Sequence, residues 1–267
     1  MHNLRLCRTI LFLPASNPRA VAKARSLPAD MIVLDLEDAV KPEDKAAARE
    51  AAREAVREGF GGRPVAVRLN VLGSTWYGED VVSIRHSGAD FVVLPKAETN
   101  RQVHDTKVLV EIPVLAMIET AKGVLAAPAI APASAGLIAG TNDLAADLAL
   151  PADAGRGGLA HSLQAIVLAA RASGVPAFDG VYNRLDDDGG LADQCREGRA
   201  YGFDGKSLIH PSQIDTANRL FSPSEEELDA AERLVAAATG GAERFEGRMI
   251  ESMHVDQARA ALAKARR

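Results

Sequence analysis

The stretch "VLAMIETAKG" (residues 114–123) starts with five apolar residues that suit a buried β-strand and then places Glu119 and Thr120 directly after them. The same pattern, an apolar run that ends in polar or turn-forming residues, recurs along the chain. The eight runs are "TILFLPAS" (9–16), "MIVLDLED" (31–38), "PVAVRLN" (64–70), "DFVVLPKAE" (90–98), "PVLAMIET" (113–120), "AGLIAGTNDL" (135–144), "PAFDGVYN" (176–183) and "FDGKSLIHPSQ" (203–213). Because the runs are nearly continuous in apolar residues, they predict parallel strands covered on both faces.

The spacing of these runs predicts how the strands are connected. Pro14 ends the first run and His210 the last, seven steps later, so the run ends recur about every 28 residues. Helix-like segments lie between the runs, for example residues 42–59, where Gly59 is suited to end a helix. One βα unit per step predicts an α/β fold of the (β/α)8 TIM barrel type rather than an open doubly wound sheet, which usually has fewer strands.

The C-terminal residues extend beyond the eight βα units that a barrel requires. We therefore expect a TIM-barrel catalytic domain at residues 1–221 and a C-terminal helical extension at residues 222–267. Ser224 and Glu227 have the spacing of a capping box, which predicts the start of a helix in the extension. A final amphipathic helix follows, and the extension is expected to pack on the barrel or on a neighbouring subunit.

Composition narrows the possible partners. The 267 residues are 47% hydrophobic, and 31 basic against 36 acidic residues give a net charge of −5. A mildly acidic chain gives no reason to expect nucleic acid or an anionic membrane as partner, since both attract basic surfaces. No apolar run reaches the ~18 residues of a membrane span, and two cysteines 188 positions apart indicate neither a disulfide framework nor a zinc site. We expect a cytoplasmic protein.

Two acids at consecutive strand ends indicate a metal site. Glu119 and Asp143 are 24 residues apart and end neighbouring runs, so they are expected side by side at the mouth where parallel strand ends converge. Adjacent carboxylates repel unless they share a proton or a cation. Oxygen ligands without His or Cys favour Mg2+, so the sequence predicts Glu119 and Asp143 as its ligands. Alternatively, each acid caps the next helix or pairs with a nearby arginine.

Charged residues at other strand ends predict an anion-binding mouth. Asp35 and Glu37 share one face of their strand, and burying both is costly unless a cation answers them. Arg68, at the end of the next run, is suited to that role, and its planar fork also suits a substrate carboxylate. Lys96 adds a second positive charge. We predict Arg68, Glu119, Glu37 and Lys96 as substrate-binding residues, with a purely structural Arg68–Glu37 ion pair as the alternative.

Several other motifs favour structural interpretations. His210 precedes a proline, and a lone strand-end histidine is more often a scaffold residue than a base. The acidic run "NRLDDDGGL" (183–191) lacks the full ligand spacing of a calcium loop, so a solvated loop is the better interpretation. For Trp76 and Tyr77 the sequence leaves open whether they cover the mouth, stack on a nucleotide or simply pack.

The ordered series "LFLPAS", "VLDLEDAV", "VRLN", "LPKAE", "MIETAKGV", "GTNDLAADL", "FDGVYN" and "GKSLIHPSQ" resembles the HpcH/HpaI aldolase and citrate lyase β-subunit family, close to its citramalyl-CoA and malyl-CoA lyases. The resemblance spans residues 8–260. It implies a TIM barrel, a homotrimer or hexamer, Mg2+, and the cleavage or formation of a carbon–carbon bond between a 2-oxoacid and an acyl-CoA.

Carried over by position, the resemblance implies Glu119 and Asp143 as metal ligands and Arg68 as the residue that binds the substrate carboxylate. It also implies Glu251 as a catalytic acid or base supplied by a neighbouring subunit. Three positions depart from the family pattern: Ala15 replaces a frequent Gly, Asn142 an acid, and Glu251 an Asp. The extra methylene of Glu251 moves its carboxylate, and proton transfer depends strictly on geometry.

The resulting hypothesis is a Mg2+-dependent carbon–carbon lyase that cleaves a 3-hydroxy-3-carboxyacyl-CoA (citramalyl-CoA, malyl-CoA or citryl-CoA type) to a 2-oxoacid and acetyl-CoA, with Arg68 and Glu251 as catalytic residues. A malyl-CoA thioesterase that uses the same pocket is the first alternative. A citrate lyase β-like subunit that is active only in a complex is the second, and a divalent-metal aldolase for free hydroxy-oxoacids is the third. Lys96 as a Schiff-base lysine is a further, metal-independent alternative.

Overall fold

The structure, a computed structural model, describes residues 2–265, so Met1, Arg266 and Arg267 at the ends of the two predicted parts lie outside the described residues. Eight parallel strands close into a barrel in chain order, as the spacing of the apolar runs predicts. The barrel strands are β1 (Thr9–Pro14), β2 (Met31–Asp35), β3 (Val65–Arg68), β4 (Phe91–Leu94), β5 (Val114–Ile118), β6 (Gly136–Ala139), β7 (Ala177–Asp179) and β8 (Gly205–Leu208). The predicted (β/α)8 barrel is confirmed.

Helices follow the strands and cover the outside of the barrel. Those of the barrel are α1 (Pro18–Ala24), α2 (Lys45–Glu58), α3 (Tyr77–Ile84), α4 (Asn100–Val110), α5 (Ala121–Ile130), α6 (Thr141–Asp147), α7 (Ala160–Ala172), α8 (Asp188–Tyr201) and α9 (Ile214–Phe221). Gly59 ends α2 with a positive φ of 76°, a conformation that favours glycine. None of the helices within residues 2–265 combines the length and apolar character needed to cross a membrane.

Strand alternation divides the core in two. Inward-facing side chains such as Ile10, Val33 and Phe178 fill the barrel, whereas the alternating residues Leu11, Leu34 and others pack against the helices. The strand registers group the inward residues of alternate strands into layers of four, the arrangement expected of this fold. The barrel is therefore a packed core that is open only at its mouth.

The C-terminal extension contains α10 (Glu225–Ala237), a two-stranded hairpin of β9 (Glu243–Phe245) and β10 (Arg248–Ile250), and α11 (Ser252–Ala265). The predicted capping box is present, with Ser224 and Glu227 bonding each other's backbone N–H groups. α11 packs against α10 and contacts the barrel through Lys264, whose Nζ donates to the Asp204 carbonyl at 2.5 Å.

Candidate active site

A cavity of about 360 Å3 opens at the carboxyl ends of the barrel strands. Apolar walls are formed by Phe12 and Met117, and the charged lining includes Arg68 and Glu119. Ligand sites in this fold lie at this face because loops from eight strand ends converge there. The cavity therefore coincides with the mouth at which the sequence predicts the site.

Glu119 lies at this mouth because it follows the last residue of β5 directly. Its side chain is 4% exposed, and Oε1 accepts a hydrogen bond from the Lys96 backbone N–H at 2.8 Å. Gly140, at the end of β6, makes room for the carboxylate: a Cβ at this position would come within 2.4 Å of Glu119 Oε2. Any larger residue at 140 would displace this acid, a constraint that was not inferred from the sequence.

Asp143 reaches the cavity from a different element than expected. The sequence interpretation placed it at the end of a strand, which is wrong: β6 ends at Ala139, and Asp143 lies in the first turn of α6. It still lines the cavity, because the turn after Gly140 brings the helix start over the mouth. An acid in the first helical turn is also favoured by the helix dipole.

Lys96 lies between the two predicted metal ligands. Its Nζ is 2.8 Å from Asp143 Oδ2, and this hydrogen bond raises the pKa of Lys96. Its backbone has a left-handed φ of 47°, a conformation uncommon outside glycine, and in it the N–H bonds Glu119. One residue thus contacts both acids, with its ammonium on one and its amide on the other.

The alternative that the acids serve as helix caps does not hold for Glu119. Thr120, not Glu119, caps α5, with its hydroxyl accepting from the Gly123 N–H at 3.0 Å. Gly140 is the N-cap of α6 and makes no side-chain capping bond. Glu119 therefore has its carboxylate available to the cavity, and Asp143 is held by Lys96.

Arg68 is the central cation of the mouth, and its principal partner is Asp35. Its Nε and Nη2 donate to the two Asp35 oxygens at 2.7 and 2.6 Å, which is a bidentate pair. Its Nη1 lies 2.9 Å from Glu37 Oε2 and 3.3 Å from Asp38 Oδ2, and its guanidinium lies over the Phe12 ring. Burial is the largest single cause and lowers the pKa of Arg68, but the Asp35 hydrogen bonds and the charges of the neighbouring carboxylates together raise it.

The mouth carries more negative than positive charge. Its carboxylates are Asp35, Glu37, Asp38, Glu119 and Asp143. Within residues 2–265, side-chain ion pairs to this group come only from Arg68 and Lys96. Burial is the largest cause that raises the pKa of Glu119 to about 7 and that of Glu37 to about 8. Glu37 Oε2 is buried and accepts no well-aligned hydrogen bond.

This excess of carboxylates at the mouth suits a divalent cation. No group of three or more His, Cys, Asp or Glu with the geometry of a complete metal site occurs among the residues the structure describes. Mg2+ does not require one, because it is typically bound through one or two carboxylates and completes its shell with waters and substrate oxygens. Glu119 and Asp143 supply two carboxylates of the right chemistry on one wall of the cavity.

Glu251 lies away from this cavity in its own chain. It follows β10 in the extension, is exposed, and is not among the residues lining the cavity. Its backbone N–H donates to His254 Nδ1 at 3.0 Å. A role at the active site therefore requires a second copy of the chain, as the family resemblance implies, and stays a prediction.

The remaining candidate motifs have structural roles. His210 accepts a hydrogen bond from the Ser212 N–H and so caps a short 3-10 turn. Lys45 lies over the Trp76 ring, and the Tyr77 hydroxyl contacts Thr106 at 2.7 Å. The acidic run predicted as a loop is in part the start of α8, which begins at Asp188.

Asn183 and Ser207 also line the cavity and were not predicted as site residues. Asn183 Nδ2 donates to Asn142 Oδ1 at 2.7 Å, so the two amides join the loops after β6 and β7. The run "FDGVYN" does end in Asn183, which was a signal for it. Nothing in the local sequence distinguishes Ser207 from an ordinary strand residue.

Comparisons with known proteins agree with the geometry. Residues 8–211 match the family described as HpcH/HpaI aldolase/citrate lyase. The chain belongs to the HpcH/HpaI aldolase/citrate lyase family. Residues 160–267 also match a family described as carbon–carbon bond lyases of the TIM-barrel fold. The resemblance carried by the strand-end motifs is thus confirmed.

Individual relatives of this HpcH/HpaI family member cover nearly its whole length. A (3S)-malyl-CoA thioesterase of Cereibacter sphaeroides (strain ATCC 17025) is 40% identical over 99% of this chain and 96% of its own. The citrate lyase subunit beta of Escherichia coli (strain K12) is 33% identical over 98% of this chain and 94% of its own. The crystal structure of CitE from Mycobacterium tuberculosis in complex with magnesium, acetoacetate and coenzyme A is 36% identical and superposes with a TM-score of 0.83, covering 99% of this chain and all of that chain.

Proposed function

We propose that this protein is a Mg2+-dependent carbon–carbon lyase that cleaves a 3-hydroxy-3-carboxyacyl-CoA, of the citramalyl-CoA, malyl-CoA or citryl-CoA type, to a 2-oxoacid and acetyl-CoA. One observation carries the proposal: Glu119 and Asp143 share one cavity with Arg68. Membership of an aldolase and lyase family supports it, as does the solved CitE structure that contains magnesium, acetoacetate and coenzyme A.

Each mouth residue has a role in this reaction. Arg68, fixed by Asp35, binds the carboxylate of the acid half of the substrate and orients the bond to be broken. Glu119 and Asp143 would hold Mg2+, which supplies Lewis-acid stabilisation of the oxygen that develops negative charge. Phe12 and Met117 form the apolar walls that keep water from this region.

The bond changes balance with one proton transfer at each end. The hydroxyl gives its proton to a carboxylate of the mouth, its oxygen forms the new carbonyl of the 2-oxoacid, and the electron pair of the broken C–C bond passes to the acetyl-CoA half. Protonation of the α-carbon of this half then gives acetyl-CoA. We assign this proton to Glu251 of a second copy, because Glu251 is exposed in the extension and does not line its own cavity.

The assignment of Glu251 to a neighbouring cavity is part of a proposed homotrimer or hexamer, for which we also propose a cytoplasmic location. Mixing two inactive variants tests it. Glu119→Gln lacks a metal ligand but keeps Glu251, whereas Glu251→Ala keeps the mouth. We expect co-refolded mixtures to regain a fraction of the wild-type rate, because some mouths combine intact parts of two chains. Mixtures that stay as inactive as the separate variants would exclude action in trans.

Thioester hydrolysis is a second candidate, favoured by the 40% identity to a (3S)-malyl-CoA thioesterase. The same carboxylates and Arg68 would then orient the hydroxyacid while water attacks the thioester. A citrate lyase β-like subunit, active only with an acyl-carrier partner, is a third candidate, since a citrate lyase subunit beta is 33% identical. A Schiff base on Lys96 is disfavoured, because Asp143 raises the pKa of Lys96 and keeps its amine protonated.

Product analysis of the purified protein distinguishes these candidates. With Mg2+ and malyl-CoA, citramalyl-CoA or citryl-CoA, a lyase yields a 2-oxoacid and acetyl-CoA, whereas a thioesterase yields CoA and the intact hydroxyacid. We expect the first outcome, loss of turnover with a chelator, and recovery with added Mg2+. Turnover of carrier-bound citryl thioester alone would identify a complex-dependent subunit. Cleavage of free hydroxy-oxoacids without CoA, or turnover that survives chelation, would overturn the proposal.

A further inference from the structure

The barrel strands carry few inward-facing polar side chains, and one of them has no hydrogen-bond partner among the described residues. Asp35 and Arg68 point inward and pair with each other. The third is Ser207 on β8, which alternates with the outward-facing Lys206 and pairs in register with Ile10, a residue of the inner core. Strand alternation therefore directs Ser207 into the barrel.

The layer of Ser207 is otherwise apolar. The registers place it with Val33 of β2, Val93 of β4 and Ile138 of β6, directly below the layer that contains Phe12, Arg68 and Met117. Ser207 is 2% exposed, and among the described residues its Oγ has no hydrogen-bond partner. A buried hydroxyl without a partner costs about 1–3 kcal/mol, and a ligand that accepts its hydrogen bond would offset that cost.

The cavity extends down to Ser207. Ser207 lines the cavity, whereas its layer neighbours Val33, Val93 and Ile138 do not. The cavity thus continues one layer deeper on the side of β8 than elsewhere. The Arg68 guanidinium extends over the Phe12 ring, and Phe12 lies on β1, the strand adjacent to β8. The deep end therefore has a guanidinium above it and a hydroxyl at its floor.

Geometry decides which part of a substrate reaches this floor. A CoA thioester must enter by its acyl end, because the pantetheine arm and nucleotide are too large for a cavity of about 360 Å3. The atoms farthest from CoA are those of the acid half, whose carboxylate is the group that Arg68 suits. Ser207 Oγ–H is then the neutral donor available for a carboxylate oxygen that Arg68 leaves unbonded.

We propose that Ser207 is a substrate-binding residue whose hydroxyl donates a hydrogen bond to the carboxylate of the 2-oxoacid half of the substrate. This inference rests on the proposed function and adds a specific donor to it. The hydrogen bond from Ser207 sets the depth at which the acid half binds. Recognition then depends on the carboxylate, which all 2-oxoacids share, and not on the substituent that distinguishes them.

The test is the condensation direction, in which the two halves are separate substrates. With Mg2+, Ser207→Ala is expected to raise KM about 10- to 100-fold, the effect of losing a hydrogen bond to a charged group, for both glyoxylate and pyruvate. KM for acetyl-CoA should not change. Ser207→Cys keeps the side-chain size with a weaker donor and should give an intermediate KM. Pyruvate binding by calorimetry should follow the same order.

Ser83→Ala is the matched control, because Ser83 Oγ is also buried without a partner but lies on α3, outside the cavity. It should leave both KM values unchanged. Unchanged oxoacid KM in Ser207→Ala, with an active wild type, would overturn the inference and leave the proposed function intact. An effect on only one oxoacid would also overturn it, because the hydroxyl would then contact the substituent. A wild type without turnover or oxoacid binding would overturn both.

Discussion

Two buried ionic clusters lie on opposite faces of the barrel wall and differ in how completely they are paired. The mouth cluster consists of Arg68 and Asp35 on the barrel strands, with Glu37 and the exposed Asp38 in the loop after β2. The outer cluster consists of Lys206, Asp179, Arg156 and Glu197 between the strands and α8. Both combine cations with carboxylates, yet one of them lines the cavity and the other does not.

The outer cluster balances two cations against two carboxylates, although Arg156 Nε, which pairs with Glu197, makes no well-aligned hydrogen bond. Lys206 and Asp179 are fully buried, and Lys206 Nζ lies 3.0 Å from Asp179 Oδ2, 2.6 Å from the Gly180 carbonyl and 3.2 Å from Gln194 Oε1. Arg156 Nη2 bonds the other Asp179 oxygen at 2.6 Å and also pairs with Glu197. A buried ion pair is tolerated when its remaining hydrogen bonds are made, and here it ties β7, β8 and α8 together.

The mouth cluster, in contrast, has more carboxylates than cations and can therefore bind a further cation. Three carboxylates share the single cation Arg68, whereas the outer cluster has one cation for each carboxylate. Burial raises the pKa of Glu37 to about 8, because the charge of Arg68 offsets that burial only in part. The comparison teaches that similar residues stabilise the fold when they are fully paired and prepare a site when they are not.

The largest expected effect comes from changing a metal ligand at the mouth. Glu119→Gln should lower kcat/KM by about 10³-fold or more, equal to about 4 kcal/mol of transition-state stabilisation, because the amide loses the charge that holds Mg2+. Thermal unfolding should change little, since a buried carboxylate is removed. Glu98→Gln is the control, because Glu98 bonds Thr120 and Lys122 outside the cavity. Equal activity of both variants would contradict the metal assignment.

Breaking the outer cluster should act on stability and not on chemistry. Lys206→Met removes one of the two cations that pair with the buried Asp179, and breaking a buried pair in this way costs about 3–5 kcal/mol. For a chain of this size that lowers Tm by roughly 6–20 °C. The folded fraction should keep near-normal oxoacid KM at low temperature. A specific loss of activity with unchanged Tm would reverse the distinction between the two clusters.

Arg68→Lys sharpens the same comparison at the mouth. A lysine keeps the charge but not the fork that binds both Asp35 oxygens, so we expect about a 100-fold lower kcat/KM, or about 2.7 kcal/mol. The loss should appear largely in KM for the oxoacid. Arg63→Lys is the control, since Arg63 donates to backbone carbonyls far from the cavity, including those of Phe60 and Leu27. It should lower stability without changing KM.

The smallest effect concerns the contact of the extension with the barrel. Burial lowers the pKa of Lys264 to about 8, while in the unfolded chain it is near 10.5. Between these values the unfolded chain binds more protons, so Lys264 makes stability rise with pH from about 8 to 10.5. Below pH 8 both states are protonated and the full penalty applies. The Tm of wild type relative to Lys264→Met should therefore increase across this window; a flat difference would contradict it.

The mouth was largely predictable because its residues end apolar runs. Glu119 follows β5 directly, and Arg68 is the last residue of β3, so parallel strand direction alone predicts that they meet. Asp143 was predicted at the mouth for the wrong reason, since it lies in α6 rather than at a strand end. The spacing between Glu119 and Asp143 correctly predicted that both lie at the mouth. The turn at Gly140 that positions Asp143 was not predicted from the sequence.

The outer cluster and Ser207 could not be predicted in this way. Asp179, Lys206 and Ser207 lie in two short strands, and only the alternation and register of those strands decide which side chain points out or in. A shift of one residue would exchange Lys206 and Ser207 between the helix layer and the cavity. Short runs do not fix register by themselves, because register depends on closure of the whole barrel.

The sequence by itself determined the barrel, the order of its strands and the kinds of residue at its mouth, because the period of apolar runs and the direction of parallel strands are local properties that add up along the chain. The sequence also predicted that Arg68 pairs with Asp35 and Glu37. Tertiary structure alone decided the detailed contacts: Arg68 gives its bidentate fork to Asp35, Lys96 bridges Glu119 and Asp143, and Ser207 lies at the floor. Those contacts lie within about 3 Å, and distances on that scale depend on barrel shear and loop conformation, which no single segment encodes.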